Sequence, residues 1–72
     1  MLREWRKEKA SEQGVPIFMV LHQKTLMAIV EAMPRNEEEL KAIPGIGKGK
    51  MELYGKEILG VVADFREAYG LY

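Results

Sequence analysis

The final third of the chain constrains it most. Met51, Tyr54, Ile58, Val61, Val62, Phe65 and Tyr69 recur at i, i+3, i+4 and i+7, the period of one apolar stripe on an α-helix. A helix over 48–69 is predicted, and it needs partners to cover that stripe. The rest of the chain offers only helices. No segment alternates with period two, so no sheet is expected. Gly55 and Gly60 interrupt the long helix. Each costs about 1 kcal/mol relative to alanine in a helix interior, and close approach of another helix is the expected reason. Gly70 is a natural residue to end it.

The partners read off in order. Residues 1–13 form a helix with Leu2, Trp5 and Ala10 on one arc, bordered by Arg3 and Lys7 on one side and Glu4, Glu8 and Glu12 on the other. Gly14 ends it and Pro16 prevents continuation. Trp5 is expected in the core. Residues 15–21, VPIFMVL, predict a buried connector with one helical turn. A helix over 23–33 follows, with Leu26, Ile29, Val30 and Met33 at helical spacing and Pro34 as its stop. Asn36 is a good N-cap for a short helix, with Glu39 at the capping-box position and Glu37, Glu38 and Glu39 at its positive end. Leu40 and Ile43 face inward, and Pro44-Gly45 closes the helix. The expected architecture is all-α, a compact single domain over 1–72 of four or five helices.

Bulk properties bound the function. With 72 residues, 47% of them apolar, and no cysteine, the chain forms one small domain without disulfides or Cys-based zinc. A reducing, cytoplasmic setting fits, and the seven-residue run at 15–21 is too short to cross a bilayer. Met1 is read as a start added to a domain excised from a larger protein. Eleven basic and eleven acidic side chains cancel, but they are laid out as a dipole. Lys41, Lys48, Lys50 and Lys56 stand against Glu52 over 41–56. Glu31, Glu37, Glu38 and Glu39 stand against Arg35 over 31–39.

The segment IPGIGKGK, residues 43–50, joins the last two helices. It is not a P-loop. Only three residues separate Gly45 from Gly49, and Met51 follows Lys50 where a Ser or Thr hydroxyl would bind magnesium. The dinucleotide fingerprint fails on the spacing of its third glycine. Two readings remain. The stretch is a plain helix–helix turn with solvated lysines, or it is a helix-hairpin-helix-like turn holding a nucleic-acid backbone. In the second, glycines admit a phosphate close to the chain, and the free N–H groups opening the last helix face it. Lys48 and Lys50 in that first turn oppose the helix dipole, which favours a visiting anion.

Taken in order, LREWR…A at 2–10, VPIFMVLHQKTLMAI at 15–29, MP…EEL…IPGIG at 33–47 and K-x-E-x-Y-G at 50–55 resemble the helicase-and-RNase-D C-terminal (HRDC) domain over nearly the whole chain. The chain departs from that pattern at His22-Gln23, where many members carry Asp or Asn. The resemblance implies a five-helix bundle. It implies a non-catalytic accessory domain of a RecQ-type ATP-dependent DNA helicase that binds single-stranded or partly unwound DNA weakly. The alternative it allows is a regulatory docking module of a helicase or RNase D-type nuclease. The expected phosphate contacts are Lys41, Gly45, Gly47, Lys48, Gly49, Lys50 and Lys56, with Phe18, Arg3 and Lys7 as secondary candidates. Phe18 is expected in the core, with a base-stacking platform as its other role. Tyr54 is expected in the core with its hydroxyl at the rim, and Arg3 and Lys7 are expected as solvated charges. His22 has no partners at metal-ligand spacing and Ser11 has no neighbouring base, so neither an enzyme nor a metal or cofactor is expected. The domain is expected to be a monomer, with nucleic acid or its own helicase core as partner and no membrane.

Overall fold

Left-handed residues punctuate the chain. In the computed structural model, which describes residues 1–71, α1 (Leu2–Gln13) stops at Gly14, at φ 66° and ψ 35°. The Gly14 N–H donates to the Ser11 carbonyl and the Val15 N–H to that of Ala10, the paired bonds of a Schellman ending. The same pair closes α5 (Lys48–Ala68), where Gly70 is left-handed and Leu71 N–H reaches the Arg66 carbonyl at 2.8 Å. Between them lie α2 (Ile17–Val20), α3 (Gln23–Ala32) and α4 (Glu37–Lys41). The all-α, five-helix bundle is what forms, and no strand occurs among the described residues.

Local chemistry sets each boundary. α3 ends at Met33, the one non-glycine residue with positive φ (48°) among those described, and buried Pro34 follows. The Arg66 guanidinium donates to the Met33 carbonyl, placing a cation at the negative end of α3. Asn36 Oδ1 accepts from the Glu39 N–H at 2.9 Å, as an N-cap should. Glu39 Oε1 accepts from Arg35 N–H at 2.9 Å rather than from the N-cap residue itself, so the capping box closes one residue early.

The core runs along α5. Met51, Tyr54, Ile58 and Val62 are buried against Leu2, Trp5, Val20, Leu21, Leu26, Ile29, Leu40, Ile43 and Ile46. Trp5 meets Tyr54 edge to face, with ring centroids 5.4 Å apart, and Tyr54 sends its hydroxyl to Gln13 Oε1 at the rim. Both aromatics behave as expected.

Four expectations are corrected. The connector is not buried as a whole: Val20 and Leu21 are, while Ile17, Phe18 and Met19 stay about half exposed at 47%, 53% and 53%. A single helical turn can press only one side against the body, so Phe18 is not a core residue. Gly60 has open space where a Cβ would sit, and no helix approaches it. A Cβ at Gly55 would meet Met51 Cε at 2.9 Å, a neighbour in its own helix. The apolar rhythm also outruns the core, leaving Tyr69 69% exposed where α5 passes the end of the body.

Candidate nucleic-acid interface

The turn between α4 and α5 is built by three glycines in different ways. Gly45 sits at φ 96°, and a Cβ there would lie 2.1 Å from Thr25 Oγ1. Thr25 is buried on α3 and donates to the Pro44 carbonyl at 3.2 Å. Gly45 is therefore required by backbone conformation and by packing. Gly47 and Gly49 answer to neither. Gly47 has the extended φ of −92° that any residue adopts, and neither glycine has an atom within 4 Å of a would-be Cβ. Gly47 is the N-cap of α5 and offers no side chain to the first turn. The N–H groups opening α5 thus lack a helical partner and a cap, on a surface with nothing over it.

The lysines disperse around this turn. Lys41 and Lys48 line a cleft between α4 and α5, together with Glu37, Met51 and Glu52. Lys56 lies about two turns beyond Lys48, in a groove shared with Glu52, Leu53 and Glu57. Lys50 turns away from both. Its ammonium donates to the Met19 carbonyl and sits 5.6 Å from the Tyr54 ring centroid, tying the start of α5 to the connector. Opposite charges are thus interleaved along α4 and α5.

The connector presents its own surface. Phe18 is exposed, tilted against the His22 ring at a centroid distance of 6.1 Å. Ile17 lines a groove of about 410 Å³ with Arg3, Lys7, Arg6 and Gln23. Lys50 reaches this connector as well, so the turn and the Phe18 surface are joined through one side chain. Arg3 and Lys7 remain exposed, as expected.

Arg6 and Thr25 went unread in the sequence. Arg6 stands four residues after Leu2 and four before Ala10, on the same row of the wheel. That spacing is the signal that it faces inward. Thr25 likewise stands four residues before Ile29, so its inward face has a signal, but its role does not, because that depends on the distant Gly45.

Elsewhere, Lys9 pairs with Glu57 at 2.7 Å and Trp5 Nε1 donates to the same carboxylate at 3.4 Å. The hydrogen bond from Lys9 holds the Glu57 carboxyl below its ordinary value, and the carboxylate in turn raises Lys9. Among the described residues no group of three His, Cys, Asp or Glu side chains could hold a metal, and no helix is long and apolar enough to cross a membrane.

Known proteins share this fold. The family model of the HRDC domain matches residues 1–62. The ATP-dependent DNA helicase UvrD2 of Mycobacterium tuberculosis is 46% identical over 61 residues, which is 85% of this chain and 9% of that protein. The ATP-dependent DNA helicase RecQ of Bacillus subtilis is 45% identical over 58 residues, 81% of this chain and 10% of that protein. The chain thus spans about a tenth of the curated relatives it matches. Among solved structures, HRDC domain 3 of D. radiodurans RecQ superimposes with a TM-score of 0.85 at 38% identity, covering 89% of this chain and 84% of that one.

Proposed function

The chain belongs to the HRDC family, and from that premise we propose that it is a non-catalytic accessory domain of a RecQ-like ATP-dependent DNA helicase. It holds single-stranded or partly unwound DNA weakly, in the cytoplasm, and acts as a monomer within its parent protein. One observation carries this reading. The first turn of α5 is uncapped, and Gly47 and Gly49 stand in open space with no conformational or packing need for glycine. A phosphate approaching the backbone is a need that would explain both. Lys48 and Lys41 flank the approach, Lys56 extends it, and the exposed Phe18 supplies a face on which an unpaired base stacks.

The test is an NMR titration with a short single strand at low salt. Shifts in the Gly45, Gly47, Lys48 and Gly49 amides are expected, and their silence would sink the reading. If about four phosphates are engaged, affinity falls roughly fifty-fold between 50 and 200 mM salt, from a slope near −0.7 per contact. Lys41→Glu with Lys48→Glu abolishes binding and leaves the fold intact. Lys50 is a poorer probe, because its contact with the Met19 carbonyl would be lost too.

A second reading is a docking module with little affinity for DNA. The interleaving of Glu37, Glu52 and Glu57 with Lys41, Lys48 and Lys56 favours it. The same titration decides against the first reading if the strand moves no amide while a parent helicase core does.

A further inference from the structure

The far end of α5 carries a concavity of its own. Gly70 is left-handed, and the Leu71 N–H returns to the Arg66 carbonyl. That ending brings Leu71 beside the end of α3. Ala32, Met33, Arg35, Arg66 and Leu71 line a cavity of about 370 Å³ there. Three of these side chains are apolar, two carry a guanidinium, and none is an acid. Arg66 and Leu71 also lie past the residues that the HRDC model matches, 1–62. The concavity therefore draws on sequence outside the family pattern.

Neither arginine is neutralised. Arg66 donates to the Met33 carbonyl, a neutral acceptor. Its neighbours one turn away on α5 are Val62, Ala63, Tyr69 and Gly70, none of them acidic. Among the described residues the ion pairs belong to Lys9, and Arg35 makes none. Glu39 comes near Arg35, but its Oε1 is taken by the Arg35 backbone N–H.

We propose that this concavity docks a short segment of a partner protein in which one carboxylate stands beside a bulky apolar side chain. The apolar side chain fills the space between Ala32, Met33 and Leu71, the last still 49% exposed, and burial of that surface drives docking. The carboxylate accepts from the unused N–H groups of Arg35 and Arg66, whose planar forks match it. A nucleic-acid strand fits less well. The flanking sequence is acidic, with Glu31, Glu37, Glu38 and Glu39 in one segment and Asp64 and Glu67 in the other. A strand would carry successive phosphates past these groups, whereas a single carboxylate meets only the arginines at contact distance. The apolar lining is also aliphatic, without the flat aromatic face on which a base stacks. A second copy of this chain fits no better, because a cavity that holds a side chain or two is far short of the roughly 800 Å² per partner of a stable interface. The site is independent of strand binding at the glycine turn. Lys48 opens α5 and Arg66 stands in its last turn, which at the helical rise separates them by about 27 Å.

The test titrates the chain with acetyl-leucyl-aspartate amide while NMR follows the Ala32, Met33 and Leu71 amides and the Arg35 and Arg66 Nε–H signals. These signals move, and they move far less with acetyl-leucyl-asparagine amide or acetyl-alanyl-aspartate amide. Arg35→Gln, at an exposed position, leaves the fold intact and weakens the dipeptide roughly fivefold, the effect of one solvent-screened charge contact. Leu71→Ala weakens it too but keeps its salt dependence, which Arg35→Gln flattens. Strand binding at the glycine turn is unchanged in both variants. If the asparagine peptide binds as well as the aspartate one, the carboxylate assignment is overturned. If no peptide moves the signals, or a short oligothymidylate moves them and the peptides do not, the docking site falls, whatever the strand does at the glycine turn. If the signals shift with the concentration of the chain alone, the occupant is a second copy and the proposal is equally overturned.

Discussion

An alanine at position 45 would hold its Cβ 2.1 Å from Thr25 Oγ1 on a backbone at φ 96°. Left-handed strain and the clash together destabilise Gly45→Ala by roughly 2–4 kcal/mol, to be read from the midpoint of urea unfolding. Position 60 responds with the opposite sign. Its Cβ enters open space in the middle of a 21-residue helix, so Gly60→Ala stabilises by about 1 kcal/mol with no change in strand binding. Gly49→Ala has the same open space at the helix start. It stabilises by up to about 1 kcal/mol but weakens strand binding, because the added methyl stands where a phosphate approaches. All three are glycines in or near one helix, and the sequence alone ranks them equally. Only the surroundings separate them: Thr25 at one, empty solvent at the others.

α1 docks on α5 through contacts that span the chain. Trp5 stacks edgewise on Tyr54, Tyr54 hydrogen-bonds Gln13, and Lys9 pairs with Glu57. The last pair makes this docking respond to pH. The Glu57 carboxyl is held below its ordinary 4.5, chiefly by the Lys9 hydrogen bond; burial opposes it, and the Trp5 hydrogen bond adds a smaller lowering effect. Its contribution is complete above 4.5 and fades as pH falls through the lowered value. Lys9 is held above its ordinary 10.5, so its share is complete below 10.5 and fades as pH rises through the raised value. Glu57→Gln is expected to remove a shallow acid-side loss of stability, seen in chemical denaturation repeated from pH 6 to below 4. The effect is small, because the Glu57 side chain is 44% exposed and solvent screens the pair. The elements themselves were legible wherever a cap or stop residue sat in the chain: Gly14, Pro34, Asn36 and Gly70, whereas α4 ends at Lys41, short of the Pro44-Gly45 expected to close it. The connector was legible as a helical turn but not as a surface. Seven consecutive residues, six of them apolar, do not say which side meets the body.

The whole molecule depends on a small core. Leu40 and Ile58 are fully buried, and replacing either with alanine costs roughly 2–5 kcal/mol. That is comparable to the total stability of about 5 kcal/mol at the low end for small domains. Ile58→Ala is therefore expected to unfold cooperatively near ambient temperature, as thermal circular dichroism would show. Helix class, helix order, caps and the ordered motifs of the HRDC family were determined by the sequence alone, because caps, stops and apolar periods act over a few residues. Tertiary structure decided what depends on distant neighbours. It brought Thr25 against Gly45 and Lys50 to the Met19 carbonyl. It turned Phe18 outward and left Tyr69 beyond the core. It buried Arg6 beside the neutral Gln23 rather than an acid. Each is a contact or an absence of contact between segments far apart in the chain, where periodicity carries no information.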